Sequence, residues 1–314
     1  MRGKNKVLSR ILDNNTYFIF LALFIVCCLL SDKFFSYINL RNILLQQAAP
    51  ILVAVGMLMV VLTGGIDLSV GSVMAVGSSV AAILISRYNI PWGIALLAAV
   101  CCGLILGAFT GILVAYLGFQ GFVASLSVMT IARGIAYTIT NATPINFPSE
   151  TLGTLTAKEY GYPEIWITFL IIVVFVIMQR FTKYGRLVIA VGSNVEAVKL
   201  SGIRTRRYIH SVYILSGCLA ALAGVFTAAR SYVGNSTIGE GGELDAIAAC
   251  VIGGASLAGG KGSVTKTVIG ALTLALIGNI MNLLSVPAYP QRIIKGFIII
   301  AAVLLQVLTG NKKN

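Results

Sequence analysis

Histidine is nearly missing from this chain: His210 is the only one in 314 residues. That excludes metal sites built on imidazole and any triad that needs a histidine base. Charge is scarce as well. Asp, Glu, Lys and Arg make up 11% of the residues, against about 25% in soluble domains. Only ten residues are acidic. An ion-driven carrier needs carboxylates within the membrane, and the chain offers only Asp67, placed by its flanks at an interface. A membrane enzyme needs nucleophile, base or metal ligands at one depth, and no such set occurs. The six cysteines fall inside apolar runs as Cys27-Cys28, Cys101-Cys102, Cys218 and Cys250. Adjacent pairs on a helix suit neither a metal nor a disulfide, and they read as small packing residues.

What is abundant is apolar surface: 58% of the residues are hydrophobic and the mean hydropathy is +0.93. The expected fold is an all-α integral membrane protein, a single transmembrane domain over residues 1–314 with about ten helices. The apolar runs place spans at 17–30, 48–62, 70–86, 92–116, 122–140, 165–181, 211–229, 246–257, 264–284 and 293–308. The run at 246–257 is short, since a full crossing takes about 20 residues, and reads as a broken or tilted helix. Residues 1–15 carry Arg2, Lys4, Lys6 and Arg10, and the first run leads into Ser31-Asp32-Lys33 with no small-residue cleavage site. The expectation is an uncleaved first span with both termini on the cytoplasmic side.

The net charge of +13 invites nucleic acid. Its distribution argues otherwise. In the ten-span arrangement fifteen basic and three acidic residues lie on the inner face, against six basic and seven acidic outside. The excess is the positive-inside bias of membrane proteins.

The longest basic segment is the inner loop at 182–209; residues 141–164 form the main outer loop. Ser193 and Glu196 fit a capping box, so a helix can begin at Asn194, and Gly202 suits the left-handed residue that ends one. Two turns of helix are not stable alone in water. Such a helix needs a groove on a partner, or else the loop is solvated and its charges only set topology.

Other motifs are weaker. Gly103, Gly107 and Gly111 on one span, and Gly217, Ala221 and Gly224 on another, make ridges that let helices approach closely. In GGIDLSVGS (64–72), Asp67 and Ser69 can cap the following helix, while Gly64 and Gly65 permit a sharp turn. The segment is a helix cap or a hinge beside a path or inner gate. GGASLAGGKGS (253–263) echoes its Gly-Gly-x-x-Leu, a slight sign of two pseudo-symmetric halves. Gly260-Lys261 imitates a P-loop, but Ala255 stands where the first glycine belongs and Gly262 follows the lysine, so this chain is not expected to bind ATP. Asn279 and Asn282 share one helix face and either tie helices together or line a wet path. Arg133 and Lys295 are costly in lipid and are expected to snorkel outward.

Taken in order, GGIDLSVGS, TIARG (130–134), AVGSN-x-EA-x-KLSGI (190–203), ELDAIAACVIGGASLAGGKGS (243–263) and QRIIKGFIIIAAVLL (291–305) give the chain a resemblance. It resembles the ABC-transporter permeases of the ribose, galactose, xylose and autoinducer-2 importer group, ribose-type permeases above all. The resemblance covers nearly the whole chain. It implies a bacterial cytoplasmic-membrane permease with a second permease copy or paralogue, two ATP-binding cassette subunits on the inner face, and a periplasmic or lipid-anchored sugar-binding protein outside. ATP and magnesium belong to the partner, and this chain is implied to bind no cofactor. The coupling helix then falls on Gly192, Ser193, Asn194, Glu196, Ala197, Lys199 and Gly202. Gly64, Gly65, Asp67, Ser69, Asn279 and Asn282 remain candidates for the pathway or gate. The same architecture with another cargo, such as autoinducer-2, a nucleoside or a branched-chain amino acid, is the main alternative, and an ion-driven carrier is a more distant one.

Overall fold

A computed structural model describes residues 15–310, with some side chains of the last helix undescribed. The helices are α1 (Asn15–Leu30), α2 (Tyr37–Leu62), α3 (Val70–Ser86), α4 (Trp92–Ala115), α5 (Gly121–Thr140), α6 (Pro163–Phe181), α7 (Lys183–Ser193), α8 (Val195–Leu200), α9 (Thr205–Ser231), α10 (Gly242–Ile252), α11 (Val264–Leu283) and α12 (Ala288–Gly310). A two-residue ribbon pairs β1 (Ile145–Asn146) with β2 (Val233–Gly234), antiparallel. This joins the long 141–164 loop to the end of α9. Six helices, α2, α4, α5, α6, α9 and α11, are long and apolar enough to cross a membrane by length and composition.

The central helices are α2 and α9. Each buries 72% of its most apolar window, whereas α4, α5 and α6 bury no more than 28% of theirs and leave most of their surface outward. The small-residue ridges form the expected seam. A Cβ at Gly103 or Gly217 would strike the backbone of the other, and Gly107 and Gly111 lie against Tyr213 and His210 of α9. Without water to drive association inside a bilayer, such close backbone contact is what holds helices together.

The helices differ most from the hydropathy reading at the second and eighth spans, while α9 starts at Thr205 rather than 211 and α12 at Ala288 rather than 293. The second span begins at Tyr37, not 48, because Ser36 caps it by accepting from the Asn39 N–H at 3.3 Å. Asn39, Arg41, Asn42, Gln46 and Gln47 lower the local hydropathy without breaking the helix. The short eighth element runs Gly242–Ile252, eleven residues. At 1.5 Å per residue it spans about 16 Å, roughly half the hydrocarbon thickness.

The half-length of α10 follows from what precedes it. Both long central helices are followed by a non-helical stretch that packs partly into the bundle and then by a shorter helix. After α2 come residues 63–69 and α3; after α9 come residues 235–241 and α10. Asp67 and Ser236 are each only 1% exposed. Non-helical backbone at such depth is tolerated only when the protein supplies its hydrogen bonds. Here Ser78 donates to the Asn235 carbonyl at 3.2 Å, and Arg133 donates to the carbonyls of Ser236 and Ile238. The carbonyl of Ile66 accepts from Ser125 at 3.2 Å and Tyr213 at 3.5 Å. Arg133 thus holds the loop before α10. The start of α3 and that loop meet at Gly71 and Gly239, where a Cβ on either would collide with the other's carbonyl oxygen.

Candidate functional site

At one end of the bundle three glycine-bearing turns meet. The first follows α2 at Thr63–Gly65. The second is the end of α7 at Gly192. The third is the 258–260 part of the turn between α10 and α11. The Gly260 N–H donates to the Leu62 carbonyl at 3.0 Å. A Cβ at Gly192 would collide with that same Leu62 oxygen, and a Cβ at Gly259 would come within 2.8 Å of the Gly192 oxygen and 2.9 Å of the Gly64 nitrogen. The structure therefore brings Gly192 and Gly64 into one backbone-to-backbone contact, with the 253–263 motif between them. Gln179 fastens the third turn to α6: its side chain accepts from the Val264 N–H at 2.9 Å and donates to the Gly262 carbonyl at 3.0 Å.

From this contact α7 leads directly to α8. The 182–209 segment is more ordered than a loop: it holds two helices and the start of α9. The capping box is absent. Ser193 closes α7 and donates to the Ile189 carbonyl at 3.0 Å, while Asn194 caps α8 by accepting from the Ala197 N–H at 2.9 Å. Asn194 already has the extended backbone a cap requires, and its short amide reaches the third N–H. Glu196 is left to pair with Lys199 at 3.9 Å. Gly202 ends the helix as expected, with φ +78° and its N–H on the Lys199 carbonyl at 3.0 Å. No residue of α8 is buried, and Leu200 is 87% exposed. Behind α8, Tyr184 lies 2.7 Å from the Ser211 hydroxyl, and burial pushes its phenol above the ordinary range against the pull of that bond.

Asp67 is buried in the protein, and one of its oxygens accepts from the Ser69 N–H at 3.0 Å and the Ser69 hydroxyl at 2.6 Å. The other accepts from the Ser216 hydroxyl at 2.8 Å. Ser69 occupies the cap position of α3, but its side chain is turned to Asp67 and caps nothing. Asp67 and Ser69 together pin the 63–69 stretch to the middle of α9. Gly65 lets that stretch approach, since a Cβ there would sit 2.6 Å from the Tyr213 hydroxyl.

Asn279 and Asn282 lie apart from these residues, on a cavity of about 250 Å³ between α2, α10, α11 and α12. Asn279 exchanges two hydrogen bonds with Asn39, at 3.0 and 2.8 Å, and so ties α11 to α2. The Asn282 carbonyl oxygen accepts from Gln291 at 2.8 Å. Lys295 pairs with Asp245 at 3.2 Å across the cavity wall. Sequence reasoning singled out neither Gln46, Gln47 nor Gln291. Their signal was present in the run of amides before Pro50, but hydropathy assigned that run to the outer loop.

Comparison with known proteins agrees with this arrangement. The profile of the family described as "Branched-chain amino acid transport system / permease component" matches residues 39–303. The ribose import permease protein RbsC of Escherichia coli K12 is 40% identical over 96% of this chain and 95% of its own length. That of Bacillus subtilis is 37% identical over 91% of each. The L-arabinose transport system permease protein AraH of Escherichia coli K12 is 34% identical over 91% of this chain and 88% of its own length. No solved structure matches. The match spans both the glycine-bearing turns and the cavity, and the chain belongs to this family of transport-system permease components.

Proposed function

We propose that this chain is the membrane-spanning permease subunit of an ATP-driven importer and that its cargo is a monosaccharide of the ribose kind. The similarity to ribose, arabinose and xylose permeases along nearly the whole chain supports the sugar over the branched-chain amino acid in the family's description. It also supports a bacterial cytoplasmic membrane as the location. In this reading the chain crosses ten times with both termini inside, α1, α3, α10 and α12 completing the set. A second permease copy or paralogue, two ATP-binding cassette subunits and an external sugar-binding protein complete the transporter. ATP and magnesium are held by the partner.

The observation that carries the reading is the position of α8. A six-residue helix with no buried residue has no reason to persist alone. It is mounted on the C-terminal end of α7, which meets the backbone of α2 and of the 258–260 turn with no side chain between. Movement of an ATPase groove that holds α8 passes through Gly192 to Leu62 and Gly260. It thereby reaches the end of α2 that borders the 63–69 stretch and the turn that follows α10. Asn194, Glu196, Ala197, Lys199 and Gly202 shape the docked helix, and Gly64, Gly65, Asp67 and Ser69 keep the stretch above it in register.

The test is extraction in mild detergent from the native cells, with mass spectrometry of what co-purifies. A stoichiometric soluble subunit bearing a phosphate-binding Walker A sequence is expected. Reproducible recovery of the chain alone, active in ion-driven uptake after reconstitution, would overturn the reading.

A further inference from the structure

The cavity between α2, α10, α11 and α12 has a chemistry of its own. Its volume, about 250 Å³, lies just under the roughly 300–1,000 Å³ of drug-sized ligand pockets. Its polar groups are almost all amides, from Gln46, Gln47, Asn279, Asn282 and Gln291. Each amide offers both donors and an acceptor. Asn279 is fully engaged with Asn39, and Gln291 with Asn282 and the Val286 carbonyl. Among the described residues, the side chains of Gln46 and Gln47 make no hydrogen bond, and the Asn282 amide N–H₂ donates to none. The only charges on the wall, among the described residues, are Asp245 and Lys295, and they neutralise each other at 3.2 Å.

We propose that this cavity is the permease's own solute subsite, and that it takes one neutral polyhydroxylated molecule of monosaccharide size. Gln46, Gln47 and Asn282 bind its hydroxyls, because a hydroxyl also donates and accepts and so matches a free amide in either sense. The Asp245–Lys295 pair excludes ions: a charged solute would meet a wall with no net charge and would have to break the pair to find a counter-ion. The pair also bridges α10 to α12, so the site spans a half-length helix and its neighbour and changes shape when α10 moves. Binding here is weak, since a transporter site must release what it takes. This inference rests on the reading of the chain as a sugar permease.

The test uses the full transporter in membrane vesicles. Ala246→Cys and Ala275→Cys, which line the cavity without binding the hydroxyls, and, as a control away from the cavity, Leu44→Cys are labelled with a small hydrophilic thiol reagent. Labelling is followed by peptide mass spectrometry, so that the six native thiols do not interfere. D-Ribose, L-arabinose and D-xylose are the probes. Labelling at 246 and 275 is expected to slow as 1 + [sugar]/Kd, about fivefold at roughly four times Kd, for whichever sugar the transporter imports, while labelling at 44 stays unchanged. Absence of protection by a sugar that the same vesicles import, or equal protection at 44, overturns the subsite and leaves the permease reading standing. Failure of the unsubstituted transporter to import any of the three sugars counts against the permease reading itself.

Discussion

Arg230 on α9 donates to the carbonyl of Gln46 at 3.2 Å, the very carbonyl that Pro50 leaves without its helical donor. Proline has no N–H, so the i−4 oxygen of an α-helix is orphaned beneath it. The same guanidinium nitrogen reaches the Leu45 carbonyl at 3.3 Å. It is also the cation that acts on Glu164, a fully buried acid whose carboxylate oxygens have no hydrogen-bond partner among the described residues. One side chain thus secures the break in α2 directly beside the Gln46 and Gln47 amides.

Replacing Arg230 by methionine is expected to lower stability by about 0.5–1.5 kcal/mol, the net worth of a hydrogen bond at a partly exposed site. In a Pro50→Ala background the loss should be smaller, because the substituted alanine restores a backbone N–H for the Gln46 carbonyl. Thermal unfolding of the four detergent-purified chains of this double-mutant cycle measures it. Equal losses in both backgrounds would show that Arg230 does not serve the proline break.

Asp67 gives a second expectation. Asp67→Ala leaves the buried hydroxyl of Ser216 without its acceptor and frees both donors of Ser69. A loss of about 1–3 kcal/mol follows. Asp67→Asn keeps one acceptor oxygen and should lose less. The midpoint of thermal unfolding checks both, and an alanine variant as stable as the parent would mean that the 63–69 stretch is held by packing alone.

Gly192→Ala tests the link between the inner face and the bundle. The added methyl meets backbone, not a flexible side chain, so α7 must shift at an overpacking cost of about 1–3 kcal/mol. Sugar uptake is expected to fall while the amount of chain in the membrane is kept. Normal uptake by a fully inserted variant would show that the contact carries no motion.

Much of this was legible in the sequence. Apolar runs located α4, α5, α6, α9 and α11 closely, and the glycine ridges named the α4–α9 seam. Gly202 was correctly read as a helix end because its conformation is a local property. The misreadings share one cause. Hydropathy assigns polar and glycine-rich residues to the outside, yet Asp67 and Ser236 are buried, and the carbonyls of their stretches are served by Arg133, Ser78, Ser125 and Tyr213. The same bias shortened α2 at its polar start and gave no sign that Lys295 and Arg133 have partners distant in sequence. The capping box failed for a local reason: Asn194, one residue on, is the better placed cap.

The measurement that bears most directly on the account is ATP hydrolysis and sugar uptake in the same vesicles, with the chain carrying Glu196→Ala and Gly202→Val together. Gly202 sits at φ +78° in open space, so valine strains the end of α8 by about 1–3 kcal/mol without disturbing the bundle. The account predicts that hydrolysis loses its stimulation by the external sugar-binding protein and that uptake falls with it, at unchanged membrane insertion. Uptake at the parent level by a properly inserted double variant would contradict the assignment of α8 as the coupling element.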